Sequence, residues 1–175
     1  DTSATAAALT ALDAKTTVAV QAGNVTSLSG TATEVIAAYA ADAATTIVLD
    51  GDETVSVSGT VSVADANTIS GKTSGAVTAT IATGSYTALN ALNETNNAFA
   101  LTLDETITVA QADALDAKTT GVVTATLSTQ DLTTLAGLNG TGNAYTITIS
   151  DTSATAAALT ALDAKTTVAV QAGNV

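Results

Sequence analysis

The 25 residues DTSATAAALTALDAKTTVAVQAGNV occupy Asp1–Val25 and return unchanged at Asp151–Val175, an offset of 150 residues (151 − 1). Twenty-five identical residues do not recur by chance, and packing constraints alone do not preserve every letter. The chain therefore reads as one long period, 1–150, followed by the start of the next, 151–175. In repeat architectures each unit leans on its neighbours, and the stack is closed by polar caps. Neither end of this sequence reads as such a cap. The expectation is a single continuous array over 1–175 without a domain boundary, one that either continues in a longer molecule or joins copies of itself end to end.

A shorter period lies inside the long one. Val18–Gln21, Ile47–Asp50, Val77–Ile81, Phe99–Leu103, Val123–Leu127, Tyr145–Ile149 and Val168–Gln171 alternate or are β-branched, which predicts strands. Between them run Ser3–Asp13, Thr31–Asp42, Val63–Ser70, Ser85–Asn93, Val109–Ala117, Gln130–Leu138 and Ser153–Asp163. These segments are rich in Ala and place Leu at helical spacing, so they predict short helices. Ser or Thr opens several of them, as an N-cap would. Lys or Gly follows several, suited to a helix C-terminus. Extra residues around Asn24–Gly30 and Asp52–Gly59 lengthen two units, the second with room for another short strand.

Strand starts at 77, 99, 123 and 145 are 22, 24 and 22 residues apart. One strand and one helix every 22–30 residues predicts an α/β fold. The expected form is a right-handed, leucine-rich-repeat-like solenoid with a parallel sheet on one face. The predicted core takes Val18, Val20, Ile47, Leu49, Val77, Ile81, Leu101, Leu103, Leu127, Ile147 and Ile149 from strands. From helices it takes Leu9, Leu12, Ile36, Leu89, Leu92, Leu115, Leu135 and Leu138.

Composition narrows the function. The aromatics are Phe99, Tyr39, Tyr86 and Tyr145, and there is no Pro, Cys, Met, Trp, His or Arg. A core of small side chains is thin and suits a narrow stack. A net charge of −12 opposes binding to nucleic acid or to an anionic membrane surface. No apolar run reaches the roughly 18–20 residues of a membrane span, so no membrane insertion is expected. Catalysis is not expected either: there is no His or Cys, and no base accompanies the abundant Ser and Thr.

The phrases SDTSATAAALTALDAKTT, TITVAQADALDAKTTGVVTAT and AYTITISDT resemble the repeats of giant secreted or cell-surface bacterial proteins. These include cyanobacterial motility-type and haemolysin-type adhesin-like proteins. The resemblance covers essentially the whole chain. It implies an extracellular, rod-like stalk or coat and carries over no catalytic residue. The glycine-rich calcium nonapeptides that often accompany such proteins are absent.

Four patterns are candidate sites. Asp50, Asp52 and Glu53 sit on a Gly-containing turn and are candidate calcium ligands; equally, they and Asp104, Glu105 and Asp151 read as turn residues or caps of the next helix. Thr78 with Thr80, Thr124 with Thr126, and Thr146 with Thr148 face outward in pairs, as on an ice-binding or adhesive face. Ala19, Gln21, Val48, Asp50 and Ala100 are expected to break those ranks. Asp-Ala-Lys at Asp13–Lys15, Asp116–Lys118 and Asp163–Lys165 reads as helix ending. Asn24, Asn93 and Asn139 open Asn-X-Thr acceptor patterns and read as turn residues. The function expected is a structural extracellular repeat segment of a stalk, filament or coat. The alternative is an adhesive or ice-binding module that meets a surface or glycan with its strand face.

Overall fold

The computed structural model describes residues 1–173 and Val175; Asn174, the second copy of Asn24, lies outside them. Its elements run β1 (Ser3–Thr5), α1 (Ala6–Asp13), β2 (Val20–Gln21), β3 (Ser27–Thr31), α2 (Ala32–Ala43), β4 (Ile47–Val48), β5 (Thr54–Val61) and α3 (Val63–Ser70). They continue with β6 (Val77–Ile81), α4 (Tyr86–Leu89), β7 (Ala98–Ile107), α5 (Val109–Asp116), β8 (Val123–Leu127), α6 (Leu132–Leu135), β9 (Ala144–Thr146) and α7 (Ala156–Asp163). The fold is α/β. The chain divides into two compact units, Asp1–Ala82 with Leu92–Phe99 and Thr83–Ala91 with Ala100–Val175.

In the first unit β1, β3, β5 and β6 are neighbours in that order, all parallel. Ser3 lies opposite Ser27, Ser27 opposite Thr54 and Val55 opposite Val77, steps of 24, 27 and 22 residues. The pairing puts Leu28, Val55 and Val77 in one buried rank. Helices α1, α2 and α3 follow the strands and pack in series. In the second unit β7, β8 and β9 pair in parallel, with Leu101 opposite Val123 and Ala125 opposite Tyr145. Here α4 packs on α5, and α6 on α7.

Each helix begins where a strand or turn ends on a hydroxyl or carboxylate. The side chains of Thr5, Thr31, Ser62, Ser85, Thr108, Asp131 and Thr155 accept from the backbone N–H three residues on. Thr31 with Glu34 and Thr108 with Gln111 complete reciprocal capping boxes. The lysines do not sit in the last helical turn. In Asp-Ala-Lys the Asp ends the helix, the Ala is the C-cap, and the Lys backbone N–H closes one more turn, as from Lys15 to Leu12 at 3.0 Å.

Several sequence expectations are corrected. Ser3–Thr5 is a strand, and the helix starts at Ala6. Ser27–Thr31, taken as inserted residues, is a full strand of the first unit's main sheet. Pairing on both sides overrides the poor strand propensity of Ser and Gly there. Conversely, Val20–Gln21 and Ile47–Val48 form a separate two-stranded parallel sheet. Phe99–Leu103 and the following Thr106-Ile107 merge into one strand, β7, whose register shifts between Thr102 and Thr106. Two expected core residues face solvent: Val18 is 74% exposed and Leu12 51%. Val20, Ile36 and Leu103 are half-buried.

The alternating 22- and 24-residue steps hide a doubled period of 46. Val77 corresponds to Val123, Leu89 to Leu135, Asn97 to Asn143 and Glu105 to Asp151, each 46 residues on. All but Glu105 and Asp151 in this series are buried in both positions.

The identical helices α1 and α7 bury different faces. In α1, Ala6 and Leu9 are buried and Leu12 is exposed; in α7, Leu162 is only 3% exposed while Ala156 is exposed. Replacing the same leucine should therefore have two different effects. Leu162→Ala should cost about 2–5 kcal/mol, whereas Leu12→Ala should stay within about 0.5 kcal/mol. Urea unfolding of the two variants checks this; equal losses would mean that both leucines are covered.

Candidate functional site

The acidic turn after β4 is built around one inward carboxylate. Glu53 is fully buried, and its Oε1 accepts from the backbone N–H groups of Asp50 and Gly51, both at 3.1 Å. The Tyr39 hydroxyl donates to Oε2 at 3.2 Å. Gly51 holds φ at +73°, which lets the chain fold back over the carboxylate. From the segment between α3 and β6 the Thr73 hydroxyl donates to the Glu53 carbonyl at 2.6 Å. Gly75 passes so close that a Cβ there would collide with that same carbonyl.

Asp50 and Asp52 remain exposed, so the three candidate calcium ligands are not brought together. Among the described residues no group of three His, Cys, Asp or Glu side chains has a metal-holding arrangement. Both Glu53 oxygens are engaged within the chain, and the geometry is that of a braced turn.

Glu105 and Asp151 cap helices, though not the following ones. Glu105 Oε1 accepts from the Tyr86 N–H at 2.6 Å, and Asp151 Oδ2 from the Leu132 N–H at 2.7 Å. Each carboxylate thus reaches back to the first turn of the helix about 19 residues earlier, where the dipole favours negative charge.

Buried amides do the corresponding work at strand starts. Asn97 Oδ1 accepts from the Val77 N–H at 2.7 Å, and Asn143 Oδ1 from the Val123 N–H at 2.8 Å. Asn143 Nδ2 also donates to Asp116 at 2.6 Å, a contact that a Cβ at Gly140 would crowd. Of the Asn-X-Thr residues, the Asn93 N–H donates to Asn67 and the Asn139 N–H to Asp113. Both asparagines lie on exposed turns; Asn24 is exposed as well.

The hydroxyl face is more regular than the sequence suggests. Thr5, Ser29, Ser56 and Thr78 stand in register across β1, β3, β5 and β6. Thr60 stands beside Thr80, and in the second unit Thr106, Thr126 and Thr146 form another rank. All point outward and are exposed except the half-buried Ser29. The residues expected to interrupt the first unit's ranks, Ala19, Gln21, Val48 and Asp50, lie in or beside the separate β2–β4 sheet. Ala144, opposite Thr124, does interrupt a rank.

Tyr39, Thr73, Asn97 and Asn143 escaped sequence reasoning as positioning groups. One signal was available. All four lysines precede a Thr: Thr16, Thr73, Thr119 and Thr166. Each of those hydroxyls accepts from the backbone N–H two residues on, at Val18, Gly75, Gly121 and Val168. An apolar cleft between α2 and α3, lined by Ile36, Tyr39, Ala43, Ile69 and Lys72, encloses about 140 Å³.

No helix among the described residues is long and apolar enough to cross a membrane. No protein-family model, curated protein or solved structure matches the chain.

Two phenols give the fold an alkaline limit. Burial, then the Glu53 carboxylate, pushes Tyr39 well above its ordinary value of 10.0; burial, then Asp116 and Asp113, does the same for Tyr145. Above pH 10 the unfolded chain releases protons that the native chain keeps. The stability associated with both tyrosines is therefore complete below about pH 10 and declines as pH rises beyond it. Tyr39→Phe should cost about 1.5–3 kcal/mol at pH 8, the usual worth of a hydrogen bond to a charged group, and should flatten the alkaline decline. Urea unfolding at pH 8 and pH 11 measures both; an unchanged slope would remove Tyr39 from this account.

Proposed function

We propose that this chain is a segment of a long extracellular α/β solenoid serving as a stalk, filament or surface coat, with no catalytic role. One observation carries the reading: successive coils pair strand to strand in parallel register, with apolar ranks inside and hydroxyl ranks outside. Leu28–Val55–Val77 and Thr5–Ser29–Ser56–Thr78 are the two sides of that pattern. A right-handed stack repeating it is stiff along its axis, because each added coil hydrogen-bonds to the last. The charge of −12 keeps neighbouring rods apart. The extracellular placement follows the resemblance to giant surface proteins.

Diffraction from oriented fibres tests the architecture. An axial reflection near 4.8 Å and a longer one at roughly 29 Å, six coils, are expected. A compact particle without axial reflections would end the solenoid reading.

The in-register hydroxyl ranks favour one further reading, an adhesive or ice-binding module acting through the strand face. On that reading the chain inhibits ice recrystallisation, and Ser56→Lys with Thr78→Lys abolishes the effect. Equal ice growth with and without the chain rejects ice binding. Salt-insensitive binding to glycan-coated surfaces would retain the adhesive form.

A further inference from the structure

The sequence holds one Asn-Gly pair, Asn139–Gly140, and one Asp-Gly pair, Asp50–Gly51. Such pairs are chemically fragile. The backbone nitrogen of the glycine attacks the preceding side-chain carbonyl carbon, because no Cβ on the glycine obstructs the approach. The two pairs differ in whether that nitrogen is free to react. The Gly51 N–H donates to the buried Glu53 carboxylate at 3.1 Å and is engaged. Gly140 lies in the turn between α6 and β9, and among the described residues no group accepts from its N–H. Asn139 is exposed, so water reaches its side chain.

The surroundings of Gly140 keep it a glycine. A Cβ there would come within 2.7 Å of both Asn143 Nδ2 and Asp116 Oδ2. The doubled period of 46 supplies a counterpart. Asn93 stands where Asn139 does, also on an exposed turn, but Glu94 takes the place of Gly140 and Asn67 that of Asp113. The Asn93 N–H donates to the Asn67 amide oxygen at 3.0 Å. At Asn139 both the backbone N–H and Nδ2 donate to the Asp113 carboxylate, each at 2.9 Å. The asparagine followed by Gly is thus also the one whose partner is charged.

We propose that Asn139 is a site of spontaneous deamidation in the folded chain. The Gly140 nitrogen forms a bond to Asn139 Cγ, the Cγ–Nδ2 bond breaks, and ammonia leaves with the proton that Gly140 gives up. Water then opens the five-membered imide. Opening at the side-chain carbonyl yields aspartate; opening at the main-chain carbonyl yields isoaspartate, in which the backbone runs through Cβ and Cγ. Either product replaces a donor by a negative charge next to Asp113, and like charges at that range repel. Isoaspartate also lengthens the main chain by one carbon beside Gly140. The turn loosens, and with it Asn143, whose Oδ1 holds the Val123 N–H at 2.8 Å. The change is irreversible, adds one negative charge to a chain already at −12, and records the age of the molecule.

This proposal does not depend on the solenoid reading. Incubation of the full chain at pH 8 in heavy-oxygen water, followed by tryptic peptide mass spectrometry, tests it. The peptide between Lys118 and Lys165 should show an amide converted to an acid with one heavy oxygen, both placed at 139 by fragmentation. An isoaspartyl methyltransferase should label the same residue. Asn93 and Asp50 should stay unaltered over that time. Asn139→Gln, whose longer side chain would need a six-membered imide, should take up no label at 139. In the converted chain the Val123 N–H should exchange with solvent roughly tenfold faster or more, the loss of a hydrogen bond to a charged group being the cause. Conversion of Asn139 only after urea unfolding overturns the proposal, because the fold would then protect it. Conversion of Asn93 at an equal rate also overturns it, since Gly140 would have no part. Unchanged Val123 exchange in the converted chain overturns the loosening of the turn.

Discussion

The structure depends on one constraint: no single strand and helix of this chain can bury their own apolar side chains. The helices are one to three turns long, and isolated helices of that length are marginal in water. The strands are mostly two to five residues. Stability must come from neighbouring strands and helices, through parallel backbone pairing and small side chains that let backbones approach closely. Ala, Val, Leu and Ile supply such a core with almost no aromatic help. The few aromatics that are buried, Phe99, Tyr39 and Tyr145, each fill one wide place in it.

Polar residues then fix the register of one strand against the next. Apolar ranks of similar side chains would tolerate a slipped register. Glu53, Asn97, Asn143, Glu105 and Asp151 do not, because each carboxylate or amide must meet particular backbone N–H groups about one coil away or across its own turn. A slip would leave the buried groups of Glu53, Asn97 and Asn143 unpaired, at about 1–3 kcal/mol each, while the exposed Glu105 would turn to water. The acidic residues thus act as internal braces and helix caps as well as solubilising charge, which is why the cluster at 50–53 does not converge on a common point.

Local signals in the sequence were read correctly where they were strong. Val77–Ile81 and Val123–Leu127 are strands over the residues expected, because alternation and β-branching agree with their burial. The hydroxyls expected to open helices are the actual N-caps at Thr31 and Ser85, whereas Ser3 and Ser153 lie two residues before the caps Thr5 and Thr155. Ser27–Thr31 was missed because its strand character comes from two neighbours and not from its own residues. The hydroxyl ranks looked broken because Val18–Gln21 resembles Val77–Ile81 in pattern yet pairs in another sheet. Leu12 and Val18 illustrate the same limit: their burial depends on which coil lies alongside, and that is not written in the coil. The turn threonines were legible in the repeated Lys-Thr pair; the inward turn of Glu53 was not, since Asp52 beside it is as acidic and points away.

The AAALTALD helix packs on α2 in one place and on α6 in the other without changing a letter. A helix that accepts two partners does not choose between them: the neighbour decides which of its leucines is covered, Leu9 beside α2 and Leu162 beside α6.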